Sequence, residues 1–127
     1  MLPDNSSSLV EVKQSPLHGR GLYAVRKIPA GTKIGTWPVL ILTEEDTARV
    51  RHTRLYHYVF FVDETPDGRM RTAVAFGAIA MCNHSIEANA VFDVAPREAT
   101  VTLSAARDIE ADEEILIDYG DFASEAV

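Results

Sequence analysis

With 127 residues, 46% hydrophobic and 24% charged, the chain has the composition of one globular domain with a single core, which excludes a disordered polymer and a two-domain protein. A net charge of −7, from 19 acids against 12 lysines and arginines, argues against direct nucleic acid binding, since affinity for phosphates comes from Lys and Arg displacing counterions. A cationic partner suits that charge, although it also serves solubility alone.

Residues 1 to 8 read as a disordered tail. They carry neither the basic region nor the apolar region of a secretory signal, and no stretch of the chain approaches the roughly 20 apolar residues of a membrane span. An intracellular protein, cytoplasmic by default and without a membrane partner, is the expectation. Leu9 to Gln14 alternates apolar and polar side chains as a half-buried strand does. Ser15-Pro16-Leu17-His18-Gly19 breaks it, Gly21 to Val25 reads as a second strand, Pro29-Ala30-Gly31 as a turn, and Lys33 to Leu42 as a long extended run interrupted by Pro38.

Thr43-Glu44-Glu45-Asp46 has the makings of a helix start, with Thr43 as N-cap and acids placed where the helix dipole favours them. The helix is expected to run to about Arg54. His57 to Asp63 and Met70 to Ala75 form a hairpin across Thr65-Pro66-Asp67-Gly68. Ala73 to Cys82, with Gly77 inside it, suits buried connecting backbone better than an alternating strand. A second hairpin joins Asn89 to Val94 with Thr100 to Ala105, and Ile115 to Ile117 supplies a last short strand. The fold class is therefore mainly β, with several short antiparallel sheets and one short helix.

Three segments carry the chemistry. Gly19-Arg20-Gly21-Leu22 permits close backbone approach, which glycine allows, and by itself is equally a turn. Asn83-His84-Ser85, with Asn89-Ala90 behind it, is read alone as a core histidine between turn residues. Glu113 to Gly120 ends in Asp118-Tyr119-Gly120, where Tyr119 alone is an aromatic at a strand end. Cys82 and His84 lack two further metal ligands at usable spacing, and the single cysteine excludes a disulfide within the chain. No metal is expected. Ser85 and His84, adjacent in an extended segment, point to opposite faces and cannot pair as nucleophile and base of a hydrolase.

In this order, spanning Gly19 to Gly120, the three segments resemble the SET domain of protein-lysine N-methyltransferases, and the Ser15-Pro16-Leu17-His18-Gly19-Arg20-Gly21 opening resembles its small stand-alone viral histone-modifying members. The resemblance implies a β-clip, SET-like fold over residues 9 to 122 with a C-terminal pseudoknot, a short tail at 123 to 127, and no zinc-binding segment after it. It implies S-adenosylmethionine as methyl donor, held by Gly19, Arg20, Gly21, Leu22, Asn83, His84 and Tyr119. Tyr119 becomes the catalytic residue, and Tyr58, Ile117 and Phe122 line the substrate channel. Tyr56 competes with Tyr58 for its place, because the two share a face if their segment is a strand. The implied substrate is a lysine of a basic protein or peptide, such as a histone tail, and the viral analogy implies a homodimer.

The reaction so implied is an in-line methyl transfer to a lysine ε-amine, which must first lose its proton. With a lysine pKa of about 10.4, holding the amine neutral at pH 7 costs roughly 4 to 5 kcal/mol unless the site lowers that value. Where SET domains often carry Phe or Tyr two residues before the catalytic tyrosine, this chain has Ile117, which implies di- or trimethylation. Phe122 is the aromatic available for channel closure in cis. A chain with an open channel would instead be a SET-like module that binds S-adenosylmethionine or a basic peptide with little turnover.

Overall fold

A computed structural model describes residues 9–17 and 19–118. The expected tails at 1 to 8 and 123 to 127 lie outside the described residues, as do Tyr119 and Phe122. Among the described residues nine strands form two sheets. The first contains β1 (Val10–Gln14), β2 (Arg20–Ala24), β9 (Glu114–Ile117) and β6 (Asn83–His84), hydrogen-bonded in the order β1-β2-β9-β6. The second, wholly antiparallel, contains β3 (Lys33–Leu42), β4 (Val59–Glu64), β5 (Met70–Ala75), β7 (Ala90–Ala95) and β8 (Thr100–Ala105), in the order β4-β5-β3-β8-β7.

The long run Lys33 to Leu42 forms one strand despite Pro38, and its pairing shows how. Residues up to Pro38 pair with β8 and residues from Val39 pair with β5. The proline, which has no N–H to give, thus falls where the strand changes partner. Trp37, Val39, Val101, Leu103, Ala73 and Ala75 turn to one face and meet Leu22, Ile28, Ile109, Ile115 and Ile117 in the main core. The turn at Thr65 to Gly68 closes with Gly68 N–H on the Thr65 carbonyl at 2.9 Å, Gly68 taking a φ of 86°.

The helix is shorter than expected. It covers Glu44–Val50 and is labelled α1, with the Thr43 hydroxyl capping the Asp46 N–H at 3.0 Å as anticipated. The Thr53 hydroxyl bonds the Val50 carbonyl at 2.7 Å and the chain restarts as a 3₁₀ helix over Arg54–Tyr58. His57 and Tyr58 therefore belong to that helix rather than to the following strand, which begins at Val59. Ala73 to Cys82 divides between the end of β5 and a second 3₁₀ turn over Ala78–Met81. Among the described residues no helix is long and apolar enough to cross a membrane.

Candidate functional site

The expected motif segments meet at β9. That strand pairs antiparallel with β2, Leu22 opposite Ile115 and Tyr23 opposite Glu114. It also pairs parallel with β6, Asn83 opposite Leu116 and His84 opposite Ile117. A two-residue parallel strand is too short to show any alternation, so periodicity does not reveal it. The C-terminal strand thereby joins residues about 30 and 90 positions earlier in the chain.

Glu114 is the chemical centre of this junction. Its carboxylate accepts from the Ser15 hydroxyl at 2.9 and 3.0 Å, from the Tyr23 hydroxyl at 3.3 Å and from Asn83 Nδ2 at 2.8 Å. Asn83 Nδ2 also donates to the Arg20 carbonyl oxygen at 3.0 Å. Gly21 is buried against this cluster, and a Cβ there would lie 2.3 Å from Glu114 Oε2 and 3.1 Å from Asn83 Nδ2. A side chain at 21 would therefore have to push the Glu114 carboxylate out of these hydrogen bonds. Gly19 differs: it is exposed, has a φ of 52°, and a Cβ would meet nothing within 4 Å, so its backbone borders open space.

Asn89 ties the same strand from another side. It is 1% exposed, and its Nδ2 donates to the Glu114 carbonyl at 2.8 Å while its Oδ1 accepts the Leu116 N–H at 2.8 Å. Glu114 and Leu116 alternate along β9, so one side-chain amide serves two main-chain groups on one strand edge, as a neighbouring strand would. Asn89 Nδ2 also reaches Glu113 Oε2 at 3.2 Å. Arg107 Nη2 holds that oxygen at 3.0 Å and the Glu110 N–H donates to Oε1 at 2.9 Å.

The Glu110 N–H first, then Arg107 and Asn89, hold the Glu113 carboxyl below its ordinary value of 4.5. A lowered folded value means that the unfolded chain binds more protons in acid, so the stabilisation is present above about pH 4.5 and is lost as pH falls below it. Glu113→Gln is accordingly expected to flatten the acid limb of stability against pH, read as urea midpoints at several pH values. An unchanged slope would refute this.

The other candidates are dispersed. Leu22 and Ile117 are fully buried in the main core, and the Ile117 carbonyl accepts the Ser85 N–H at 3.0 Å. His84 is half-buried, with Nδ1 3.8 Å from Asp118 Oδ1. The Cys82 thiol donates to the Ile115 carbonyl at 3.2 Å, and burial first, then the Glu114 charge, pushes its pKa far up. Tyr56 and Tyr58 do not share a face. At three residues per turn, positions i and i+2 diverge, so Tyr56 is 1% exposed beneath Leu42 and Val59 while Tyr58 is 44% exposed.

Sequence reading missed Glu114, Ser15 and Tyr23 as parts of the site. Glu114 and Ser15 lie inside the quoted motifs and Tyr23 adjoins one, but hydrogen bonds across 91 and 99 positions leave no local pattern.

A family model described as the SET domain matches residues 19–120. A histone-lysine N-methyltransferase of Schizosaccharomyces pombe, specific for histone H3 lysine 37, is 30% identical over 115 residues, covering 90% of this chain and 75% of that protein. In fold, the chain is similar to a candidate histone methyltransferase of Plasmodium falciparum, with a TM-score of 0.68 at 22% identity over 91% of this chain and 95% of that one. It is similar also to a chain of a humanised Chaetomium thermophilum Polycomb Repressive Complex 2, with a TM-score of 0.68 at 20% identity over 91% of this chain and 15% of that one.

Proposed function

The chain belongs to the SET domain family, and from that premise we propose that it is a protein-lysine N-methyltransferase that uses S-adenosylmethionine and acts on a basic protein or peptide. The observation that carries the reading is the junction at β9, where Gly21, Asn83 and Glu114 come from three motifs and interlock through the Glu114 carboxylate. The residues present suit the donor: Gly19 offers an exposed backbone bordering open space, and Asn83 stands beside Arg20 with its amide already oriented.

Gly19, Arg20, Gly21, Asn83 and His84 would hold S-adenosylmethionine, whose bound form supplies a methyl group on a sulfonium. The chain's own task is to align the incoming amine and to keep it neutral. An apolar channel does the second by disfavouring the ammonium form, so Tyr119 orients the amine through its hydroxyl and need not be a strong base. Tyr58 is available to a substrate at the surface, and the net charge of −7 favours approach of a cationic tail.

Incubation with labelled S-adenosylmethionine and a panel of basic proteins including histones tests the reading. Label on a lysine of one protein is the expected result, and no transfer to any of them overturns it. Ile117, although its side chain is buried in the core at the end of β9, stands two residues before Tyr119 and brings no hydroxyl to hold a water near the amine, so di- or trimethyl product is expected when enzyme is in excess. Intact-mass spectra with the monomethyl form alone would contradict that part.

A further inference from the structure

The 3₁₀ helix over Arg54–Tyr58 sorts its side chains into rows, because at three residues per turn positions i and i+3 eclipse. Tyr56 turns inward and is 1% exposed. Leu55 and Tyr58 make a second row, 41% and 44% exposed, and Arg54 and His57 make a third, both exposed. An apolar ledge and a row of N–H donors thus run side by side on one turn.

The charge in the third row is not neutralised within the chain. Arg49 pairs with Glu45, Arg69 with Glu44 and Asp67, Arg71 with Asp63 and Arg107 with Glu113. Arg54 has no such partner among the described residues, and from Thr47 to Val62 the sequence contains no acid. His57 beside it donates an N–H whether or not its ring is protonated.

We infer that the row of Arg54 and His57 receives an anionic side chain of the substrate peptide, so that the preferred lysine has a carboxylate or a phosphate close to it in its own chain. The inference rests on the reading that Tyr58 meets the substrate. Tyr58 shares its ledge with Leu55, and the Arg54 row lies beside that ledge, so a peptide with its lysine near Tyr58 passes Arg54. One peptide supplies both the apolar and the anionic contact that the two rows ask for. A nucleic acid strand fits less well, because it presents repeated phosphates to a chain whose net charge is −7. The same net charge favours a peptide that is otherwise basic, so the substrate is a cationic segment with an isolated anion.

The test uses the full chain and synthetic peptides with a single central lysine, in which each flanking position carries in turn Asp, phosphoserine or Arg. Methyl transfer from labelled S-adenosylmethionine is measured, and binding of the same peptides is followed in parallel by fluorescence anisotropy. At one flanking position or more, Asp or phosphoserine is expected to bind about fivefold more tightly than Arg, and to lower KM by a similar factor, as an exposed ion pair does. The preference should shrink with added salt. Preference for phosphoserine alone would name a phosphorylated substrate, and preference for both an acidic one.

Arg54→Gln is expected to abolish the preference and Arg54→Glu to invert it in favour of Arg at the same position. Both changes are at an exposed site, and thermal melting checks that the fold is kept. Wild-type binding that is equal for Asp, phosphoserine and Arg at every position overturns the proposal, as does a preference that survives Arg54→Glu. Inhibition by duplex DNA that Arg54→Glu relieves, with no preference among peptides, would assign the row to nucleic acid phosphates and overturn it too. Selective binding of the anionic peptides without any methyl transfer is a distinct outcome, which upholds this inference and overturns the enzymatic reading.

Discussion

Replacing Gly77 with alanine is expected to destabilise the domain by about 4 kcal/mol, the sum of backbone strain and overpacking. Gly77 has φ 147° and ψ −170°, a conformation that residues with a side chain rarely adopt. An added Cβ would lie 2.2 Å from Trp37 Cδ1 and 2.9 Å from its Nε1. The indole cannot retreat. Trp37 is fully buried, and on its other side a Cβ at Gly35 would already come within 2.7 Å of the ring. Against a stability of roughly 5 to 15 kcal/mol for a domain of this size, the loss is a large fraction of the whole. Urea denaturation measures it, and a midpoint equal to that of the wild type would show that the backbone relaxes at no cost.

Asn89→Ala is expected to cost about 3 kcal/mol, because it strips partners from two main-chain groups at once. The Leu116 N–H loses its acceptor and the Glu114 carbonyl loses a donor, both on β9 and both at 2.8 Å in the folded chain. Buried groups left unpaired carry their full desolvation penalty. Alanine also removes the amide that reaches Glu113. The consequence should be local as well as global: hydrogen exchange of β9 amides is expected to accelerate more than that of β8. A uniform acceleration across both strands would contradict the idea that Asn89 holds β9 in particular.

Strand by strand, the reading of the sequence and the structure agree where side chains alternate or turn residues punctuate. Lys33–Leu42 and Met70–Ala75 have the expected bounds, and β7 and β8 differ from theirs by a residue at most. Thr43 caps its helix as its residue type and spacing indicate. The failures have a common cause. Val50 ends the helix because Thr53 turns the chain through a side-chain bond, a choice between two competing local structures that composition does not decide. Tyr56 and Tyr58 separate onto different faces because a 3₁₀ helix, not a strand, carries them. Asn83–His84 is a strand only because β9 lies beside it.

The motifs in Gly19 to Leu22, Asn83 to Asn89 and Glu113 to Gly120 were legible without coordinates and were enough to indicate the SET family, since their residue types and order are properties of the chain itself. The same holds for the mainly β fold, whose period-two alternation is local. What only the tertiary structure decided is how those motifs act on one another. The Glu114 carboxylate gathers Ser15, Tyr23 and Asn83 beside Gly21, and the Asn89 amide pairs with two main-chain groups of β9. Each of these depends on atoms brought together across 24 to 99 positions of sequence, a separation that leaves no local pattern to read.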